Sequence, residues 1–109
     1  MPNQYQPSTY DAWYHTPRGA WIGDTEFQLL YANLRPTPGA SVLDVGCGTG
    51  YFTRRLAGAG LQITGIDADA AAIRYAKSSM VADERYLVGD AGTLPFPDRH
   101  FDYAVAITS

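Results

Sequence analysis

The sequence predicts a parallel α/β fold of about four strands and three helices, and three observations support this prediction. Short apolar strands alternate with helix-length segments along most of the chain. A glycine-rich turn directly follows the first strand. Carboxylates end the second and third strands. Because ligands bind outside the carboxyl ends of strands in open sheets, these features together predict a ligand site at that edge.

Each element follows from local residue patterns. The first helix is predicted from Asp24, a good N-cap, to Leu34, because apolar side chains recur there at helical spacing. It ends before Pro36, since proline cannot continue a helix. Strands are predicted in four short apolar, β-prone runs, at residues 40–45, 61–67, 84–90 and 101–108. Helices are predicted over residues 49–58, closed by glycines, and 70–80, capped by Asp69.

The turn after the first strand carries three alternating glycines, Gly46, Gly48 and Gly50. Glycine permits a tight reversal with positive φ and lets a ligand approach the backbone. A dinucleotide-binding turn has its third glycine one position later, where this chain has Tyr51, and a P-loop would need a lysine. Asp44 in the preceding strand also disfavours a nearby polyphosphate. Both phosphate-binding interpretations are therefore weakened.

Composition limits the function classes. The 109 residues fit one small domain, with 46% hydrophobic and 17% charged residues as in globular proteins. The net charge is −3 and no basic patch is present, so nucleic acid is not an expected partner. No apolar run reaches membrane-spanning length. The single cysteine excludes an internal disulfide and fits a reducing cytoplasm.

Residues 1–23 are rich in aromatic side chains without helical or strand periodicity. One interpretation is that these rings pack on a core to which the segment does not belong. The other is a lid over a ligand site, because aromatic rings supply a large contact area and tyrosine adds a polar tip. The sequence leaves both interpretations open.

Two acidic strand ends point to a nucleoside. Asp67 ends the second strand, where a carboxylate can accept both ribose hydroxyls in bonds of about 1.5–3 kcal/mol each. NAD-binding proteins use the same placement, so Asp67 alone does not identify the nucleoside. Asp90 ends the third strand and is suited to an exocyclic amine such as that of adenine. Ordinary helix-cap and turn roles remain open for both carboxylates.

Four segments in order resemble the successive motifs of class I S-adenosylmethionine-dependent methyltransferases. They are Val42–Gly50, Gly65–Asp69, Gly89–Phe96 and Phe101–Ser109. The Leu94–Asp98 segment is typical of the small-molecule type 11 subgroup, which is similar to ubiquinone and menaquinone biosynthesis enzymes. The resemblance implies a Rossmann-like fold whose first four strands lie in the order third, second, first, fourth.

The resemblance also implies S-adenosylmethionine as the cofactor, a small-molecule methyl acceptor and no metal. It divides the chain into an aromatic lid segment, residues 1–23, and the cofactor-binding half of a methyltransferase domain, residues 24–109. The implied cofactor-binding residues are Tyr10, Asp44, Gly46, Cys47, Gly48, Asp67, Ala68, Asp69, Asp90, Ala91, Ile107 and Thr108.

By position, the glycine loop would lie against the methionine part, with Asp44 near its amino group and Cys47 acting through its backbone. The end of the second strand would hold the ribose and border the adenine, and the end of the third would meet the adenine amine. The end of the fourth strand would line the floor beside the sulfonium, and Tyr10 would close over the carboxylate. No catalytic residue is identified.

The chain stops at the fourth predicted strand, whereas the family fold continues with further strands. We therefore expect a truncated chain whose apolar fourth strand forms an exposed edge, and such an edge recruits another strand. A homodimer or strand-swapped assembly through that edge is expected. Two other functions remain: a non-catalytic S-adenosylmethionine- or nucleotide-binding module that acts through a partner chain, and an NAD-dependent oxidoreductase, which Tyr51 disfavours.

Overall fold

The structure, a computed structural model, describes residues 12–90 and 101–106. Three helices and four strands make up most of these residues. In chain order they are α1 (Pro17–Leu34), β1 (Ser41–Val45), α2 (Tyr51–Gly58), β2 (Gln62–Asp67), α3 (Ala70–Ser78), β3 (Arg85–Val88) and β4 (Tyr103–Ala106). The predicted alternation of strands and helices is therefore confirmed.

The four strands form one parallel sheet in the order β3-β2-β1-β4. The register places Asp44 of β1 beside Gly65 of β2 and Val105 of β4. All strands point the same way, so the glycine loop after β1 and the acidic end of β2 lie at the same edge. Both the predicted fold class and the predicted strand order are confirmed.

The main hydrophobic cluster lies between the sheet and the first two helices. It contains Ala40, Val42, Leu56, Ala57, Leu61, Ile63 and Val105. α1 packs against it through partly buried side chains, which are Phe27, Leu30, Tyr31 and Leu34. A second cluster joins Ile73 and Ala76 of α3 to Tyr86 of β3. The first cluster therefore joins α1 and α2 to the sheet, and the second joins α3 to β3.

The predicted start of the first helix at Asp24 is wrong, because α1 begins at Pro17. The N-cap is Thr16, whose hydroxyl accepts a hydrogen bond from the Gly19 N–H at 3.1 Å. Proline is favourable at the first helical position, because an N–H group there would have no partner within the helix. Asp24 instead lies inside α1 and forms an ion pair with Arg55. The boundary drawn between residues 23 and 24 thus falls within a helix.

Within residues 12–90 and 101–106, no helix combines the length and the apolar content that crossing a membrane requires. In the same part of the chain, β4 pairs with β1 alone.

Candidate functional site

The glycine loop between β1 and α2 is the centre of the site. Gly46, Gly48 and Gly50 have φ values of +72°, +57° and +87°, which L side chains rarely adopt. A Cβ added at Gly46 or Gly48 would meet no atom of the described residues within 4 Å. A Cβ at Gly50 would lie 3.0 Å from the ring of Tyr86. The first two glycines therefore leave open space for a ligand, whereas the third allows close packing beneath the loop.

Backbone hydrogen bonds tie the loop to the neighbouring strand. The N–H groups of Gly46 and Cys47 both donate to the Ile66 carbonyl, at 2.8 and 3.1 Å. The Cys47 side chain covers Gly65, where an added Cβ would come within 2.7 Å of its Sγ. Burial raises the pKa of the Cys47 thiol, and the nearby Asp44 carboxylate raises it further. Cys47 therefore packs as a small apolar residue, and only its backbone belongs to the loop.

Asp44 is buried beneath this loop, with 2% of its surface exposed. Its Oδ2 accepts a hydrogen bond of 2.7 Å from the Thr53 hydroxyl of α2. Its Oδ1 is buried and accepts no hydrogen bond from the residues that the structure describes. Burial raises the pKa of Asp44 to about 6, against the lowering effect of the Thr53 hydrogen bond. A buried carboxylate oxygen without a partner is costly, and it marks a place for a donor from outside the chain.

Asp67 ends β2 and joins the two loops that surround the site. Its Oδ2 accepts a hydrogen bond from the Gly48 N–H at 2.9 Å, and its Oδ1 accepts one from the Asp69 N–H at 2.8 Å. A carboxylate has about four lone-pair positions, so each oxygen keeps capacity for a ligand hydroxyl. The half-buried side chain therefore shapes the glycine loop and still offers acceptors at the carboxyl edge of the sheet.

Asp69 caps α3 with its side chain, as its spacing predicts. Its Oδ1 accepts hydrogen bonds from the N–H groups of Ala71 and Ala72, at 2.9 and 3.3 Å. Ala68, between Asp67 and Asp69, is exposed at the same edge. The cap role uses the Asp69 carboxylate, so a contact between this residue and a ligand would involve its backbone or the second oxygen.

Asp90 is exposed two residues beyond β3. The preceding Gly89 N–H donates to the Asp67 carbonyl at 3.0 Å, which brings the ends of β2 and β3 together. The structure therefore places Asp90 at the same edge as Asp67. Four other predicted site residues lie outside the described residues: Tyr10, Ala91, Ile107 and Thr108.

Two contacts near the site were not predicted from the sequence. Thr53 supplies the hydroxyl that holds Asp44, and a polar residue on an otherwise buried helix face is the signal that could have indicated it. Tyr14, in the aromatic segment, is 4% exposed and stacks on Tyr51 at the start of α2, with ring centroids 3.9 Å apart. The Tyr14 ring therefore packs against the start of α2.

A groove of about 780 Å³ lies elsewhere, at the opposite edge of the sheet. The first residues of three strands line it, namely Ser41, Gln62 and Arg85. Because ligand sites of parallel sheets form at the carboxyl ends of the strands, this groove is not the candidate site.

Residues 42–109, more than half of the chain, match the family model described as "Methyltransferase domain". The chain belongs to this methyltransferase family. The match begins in β1 and includes the glycine loop, both acidic strand ends and β4. The predicted resemblance to class I S-adenosylmethionine-dependent methyltransferases is thereby confirmed, and the narrower type 11 subgroup stays a prediction.

Individual methyltransferases agree with this assignment. The chain is 40% identical over 85 residues to a malonyl-[acyl-carrier protein] O-methyltransferase of Pectobacterium atrosepticum, covering 78% of this chain and 33% of that protein. A SAM-dependent methyltransferase structure from Methanosarcina mazei is 30% identical, with a TM-score of 0.61, over 67% of this chain and 39% of that one. The PH0226 protein structure from Pyrococcus horikoshii is 28% identical, with a TM-score of 0.75, over 93% of this chain and 50% of that one. The chain spans about a third of the length of the curated relatives that it matches.

The site fits the cofactor of this methyltransferase family on two structural observations. The Oδ1 of Asp44, which has no partner among residues 12–90 and 101–106, is a buried acceptor suited to an ammonium group. The space over Gly46 and Gly48 is open where a Cβ would otherwise lie. An amino acid part at the loop and a nucleoside part at Asp67 therefore match the donors and acceptors that the chain presents.

Proposed function

We propose that this chain holds the cofactor-binding part of an S-adenosylmethionine-dependent methyltransferase that transfers a methyl group to a small-molecule acceptor. The observation that carries the proposal is the buried Oδ1 of Asp44, which accepts no hydrogen bond from the described residues, beneath the open glycine loop. Because the chain belongs to the methyltransferase family, the ligand proposed for that oxygen is the amino group of S-adenosylmethionine.

Different described residues would contact different parts of the cofactor. Asp44 would accept from the amino group of the methionine part, while Gly46 and Gly48 let that part approach the backbone. Asp67 would accept from the ribose hydroxyls with the lone pairs that Gly48 and Asp69 leave free. The exposed Ala68 would lie against the adenine.

The remaining positions come from the family resemblance. Asp90 and Ala91 would meet the amine edge of adenine, Ile107 and Thr108 would line the floor beside the sulfonium, and Tyr10 would cover the carboxylate. Only Asp90 belongs to the described residues, and its place beside the end of β2 supports this role.

The chemistry asks little of the protein beyond binding and alignment. The cofactor supplies an electrophilic methyl group when bound. The chain's residues would hold the cofactor at the carboxyl edge of the sheet, and a base is needed only when the acceptor must lose a proton. The relatives from Pectobacterium atrosepticum and Penicillium expansum are named O-methyltransferases, so oxygen acceptors are the first to assay.

Calorimetric titration with S-adenosylhomocysteine tests the proposal, with NADH as the comparison ligand. The chain should bind S-adenosylhomocysteine alone, and Asp67→Ala should abolish measurable binding while Asp83→Ala, an exposed carboxylate at the other edge, retains it. Binding of NADH instead would favour an oxidoreductase. Methyl transfer to an oxygen acceptor separates an enzyme from a module that only binds the cofactor.

We also propose that another strand joins the β4 edge, from a second copy of the chain, and that the protein works in the cytoplasm. Within the described residues β4 has a partner on one side only, which supports the first proposal. The single cysteine supports the second. Light scattering tests the assembly: a dimer is expected, and a monodisperse monomer would contradict it.

A further inference from the structure

Tyr51 is the first residue of α2 and directly follows Gly50, the last glycine of the loop. Its ring stacks on Tyr14 with an interplanar angle of 14° and a centroid distance of 3.9 Å. Tyr14 is itself buried. The segment before α1 therefore holds one face of the Tyr51 ring against the start of α2.

α1 holds the hydroxyl end of the same ring. A Cβ added at Gly23 would lie 2.4 Å from the Tyr51 Oη, so the helix leaves space for this hydroxyl only because residue 23 is glycine. Arg55 Nη1 donates to Tyr51 Oη at 3.1 Å and also forms an ion pair with Asp24. The Arg55 guanidinium lies 4.4 Å from the centre of the Phe27 ring. α1 thus contacts Tyr51 both directly and through Arg55.

Movement of Tyr51 would be transmitted to the glycine loop. The Gly50 N–H donates to the Cys47 carbonyl at 3.0 Å, which closes the loop as a turn continuous with α2. Arg54 Nη1 donates to the Thr49 carbonyl at 2.8 Å, so the first turn of α2 also holds the loop from the helix side. A displaced Tyr51 ring shifts the start of α2 and, with it, the open glycines.

We infer that Tyr51 is a positioning residue: α1 and Tyr14 hold its ring, and the ring holds the glycine loop in the shape that receives the cofactor. The inference rests on the proposed function. It assigns a role to the residue that stands where a dinucleotide-binding turn has its third glycine. Gly23, Asp24 and Arg55 then act together to fix the Tyr51 hydroxyl.

Three variants test the inference by titration with S-adenosylhomocysteine, with folding monitored by far-UV circular dichroism. Gly23→Ala improves intrinsic helix propensity but displaces the Tyr51 hydroxyl, so binding should weaken about ten-fold while α1 stays folded. Tyr51→Ala should weaken binding by at least as much. Tyr51→Phe keeps the stacking on Tyr14 but loses the hydroxyl that Arg55 holds, so its affinity should lie between those of Tyr51→Ala and the wild type.

Leu34→Ala is the matched control, because Leu34 packs on the main cluster at the other end of α1. It should lower the unfolding midpoint and leave the affinity unchanged. Wild-type affinity in Gly23→Ala and Tyr51→Ala, or an equal loss in Leu34→Ala, would overturn the inference and leave the proposed function intact. Absence of S-adenosylhomocysteine binding by the wild-type chain would overturn both.

Discussion

Replacing Asp44 with asparagine should remove a pH dependence that this buried carboxyl gives to the stability of the fold. Burial raises the pKa of Asp44 from 3.8 to about 6, the Thr53 hydrogen bond opposes the rise, and the charge of Asp67 adds to it. The unfolded chain leaves the carboxyl in water with its ordinary pKa. The folded protein therefore retains this proton to a higher pH than the unfolded chain does.

The sign follows from linkage. Where the folded state binds more protons than the unfolded state, the free energy of unfolding falls as the pH rises. The contribution of Asp44 is thus fully favourable below the unfolded pKa of 3.8 and is lost as the pH rises to the folded value of about 6. A shift of about two units corresponds to about 3 kcal/mol, at about 1.36 kcal/mol for each unit. Solvent does not screen this contribution, because the Asp44 side chain is 2% exposed.

Urea unfolding followed by circular dichroism measures the effect at a series of pH values from about 4 to about 8. The other titrating groups are common to wild type and Asp44→Asn, so their contributions cancel in the difference between the two unfolding free energies. We expect the wild type to lose about 3 kcal/mol relative to the variant across this range. Thr53→Val should extend the fall to higher pH, since the Thr53 hydrogen bond lowers the pKa. A difference that stays flat with pH would refute the reasoning.

Two further predictions follow from a buried carboxylate at the start of β3 and from the half-buried thiol of the glycine loop. Glu84 is 2% exposed, and although burial raises its pKa, hydrogen bonds from the Val81 and Ala82 N–H groups hold the pKa below 4.5. Glu84→Gln should cost about 1–3 kcal/mol at neutral pH in urea unfolding, and this cost should shrink as acid protonates the wild-type carboxylate below pH 4.5. A pH-independent cost would contradict the role of the charge. Since burial raises the pKa of the Cys47 thiol, a disulfide-exchange reagent at mildly alkaline pH should modify it only after unfolding in urea. Rapid modification of the native chain would show that the thiol is exposed.

The parts of the fold that sequence analysis predicted well are those whose determinants are local. β1, the glycine loop and α2 follow one another within a short stretch, and the φ values of Gly46 and Gly48 are those that only glycine adopts readily. The cap of α3 is equally local, because Asp69 accepts from N–H groups two and three residues ahead. Their physical causes lie within a few residues of each other, so the sequence displays them.

α1 was mispredicted because part of its buried face carries glycines instead of large apolar residues. Gly19 lies against the Trp13 carbonyl, and Gly23 lies against the Tyr51 ring from a different helix. Helical periodicity is recognised from large apolar side chains, and glycine has a low helix propensity. The predicted helix therefore begins after these glycines. The Thr16 cap and Pro17 are the local signals for the earlier start, whereas only the tertiary contact with Tyr51 explains the glycine at position 23.

The hydrogen bond between Thr53 and Asp44 shows the same limit within the site. The two residues lie nine positions apart on different elements, and their contact depends on how α2 packs over β1. The sequence places an acidic residue in the strand but does not show that, among the described residues, one oxygen has a partner and the other has none. The chemical character of the site could be predicted, whereas its unmet hydrogen-bonding capacity required the structure.

That unmet capacity is the strongest argument that selection acts on this edge of the sheet for binding. A chain optimised for stability alone would place an apolar residue at position 44, since the buried carboxyl lowers stability at neutral pH and Oδ1 accepts nothing from the described residues. The positive φ values at Gly46 and Gly48 also serve no packing within the described part of the chain, because no atom there lies within 4 Å of their Cβ positions. Natural proteins violate the rules of stable folding mainly at functional sites. Here two such violations meet at one loop. A ligand with a cationic hydrogen-bond donor would satisfy Asp44, and the adjoining part of that ligand would fill the space over Gly46 and Gly48.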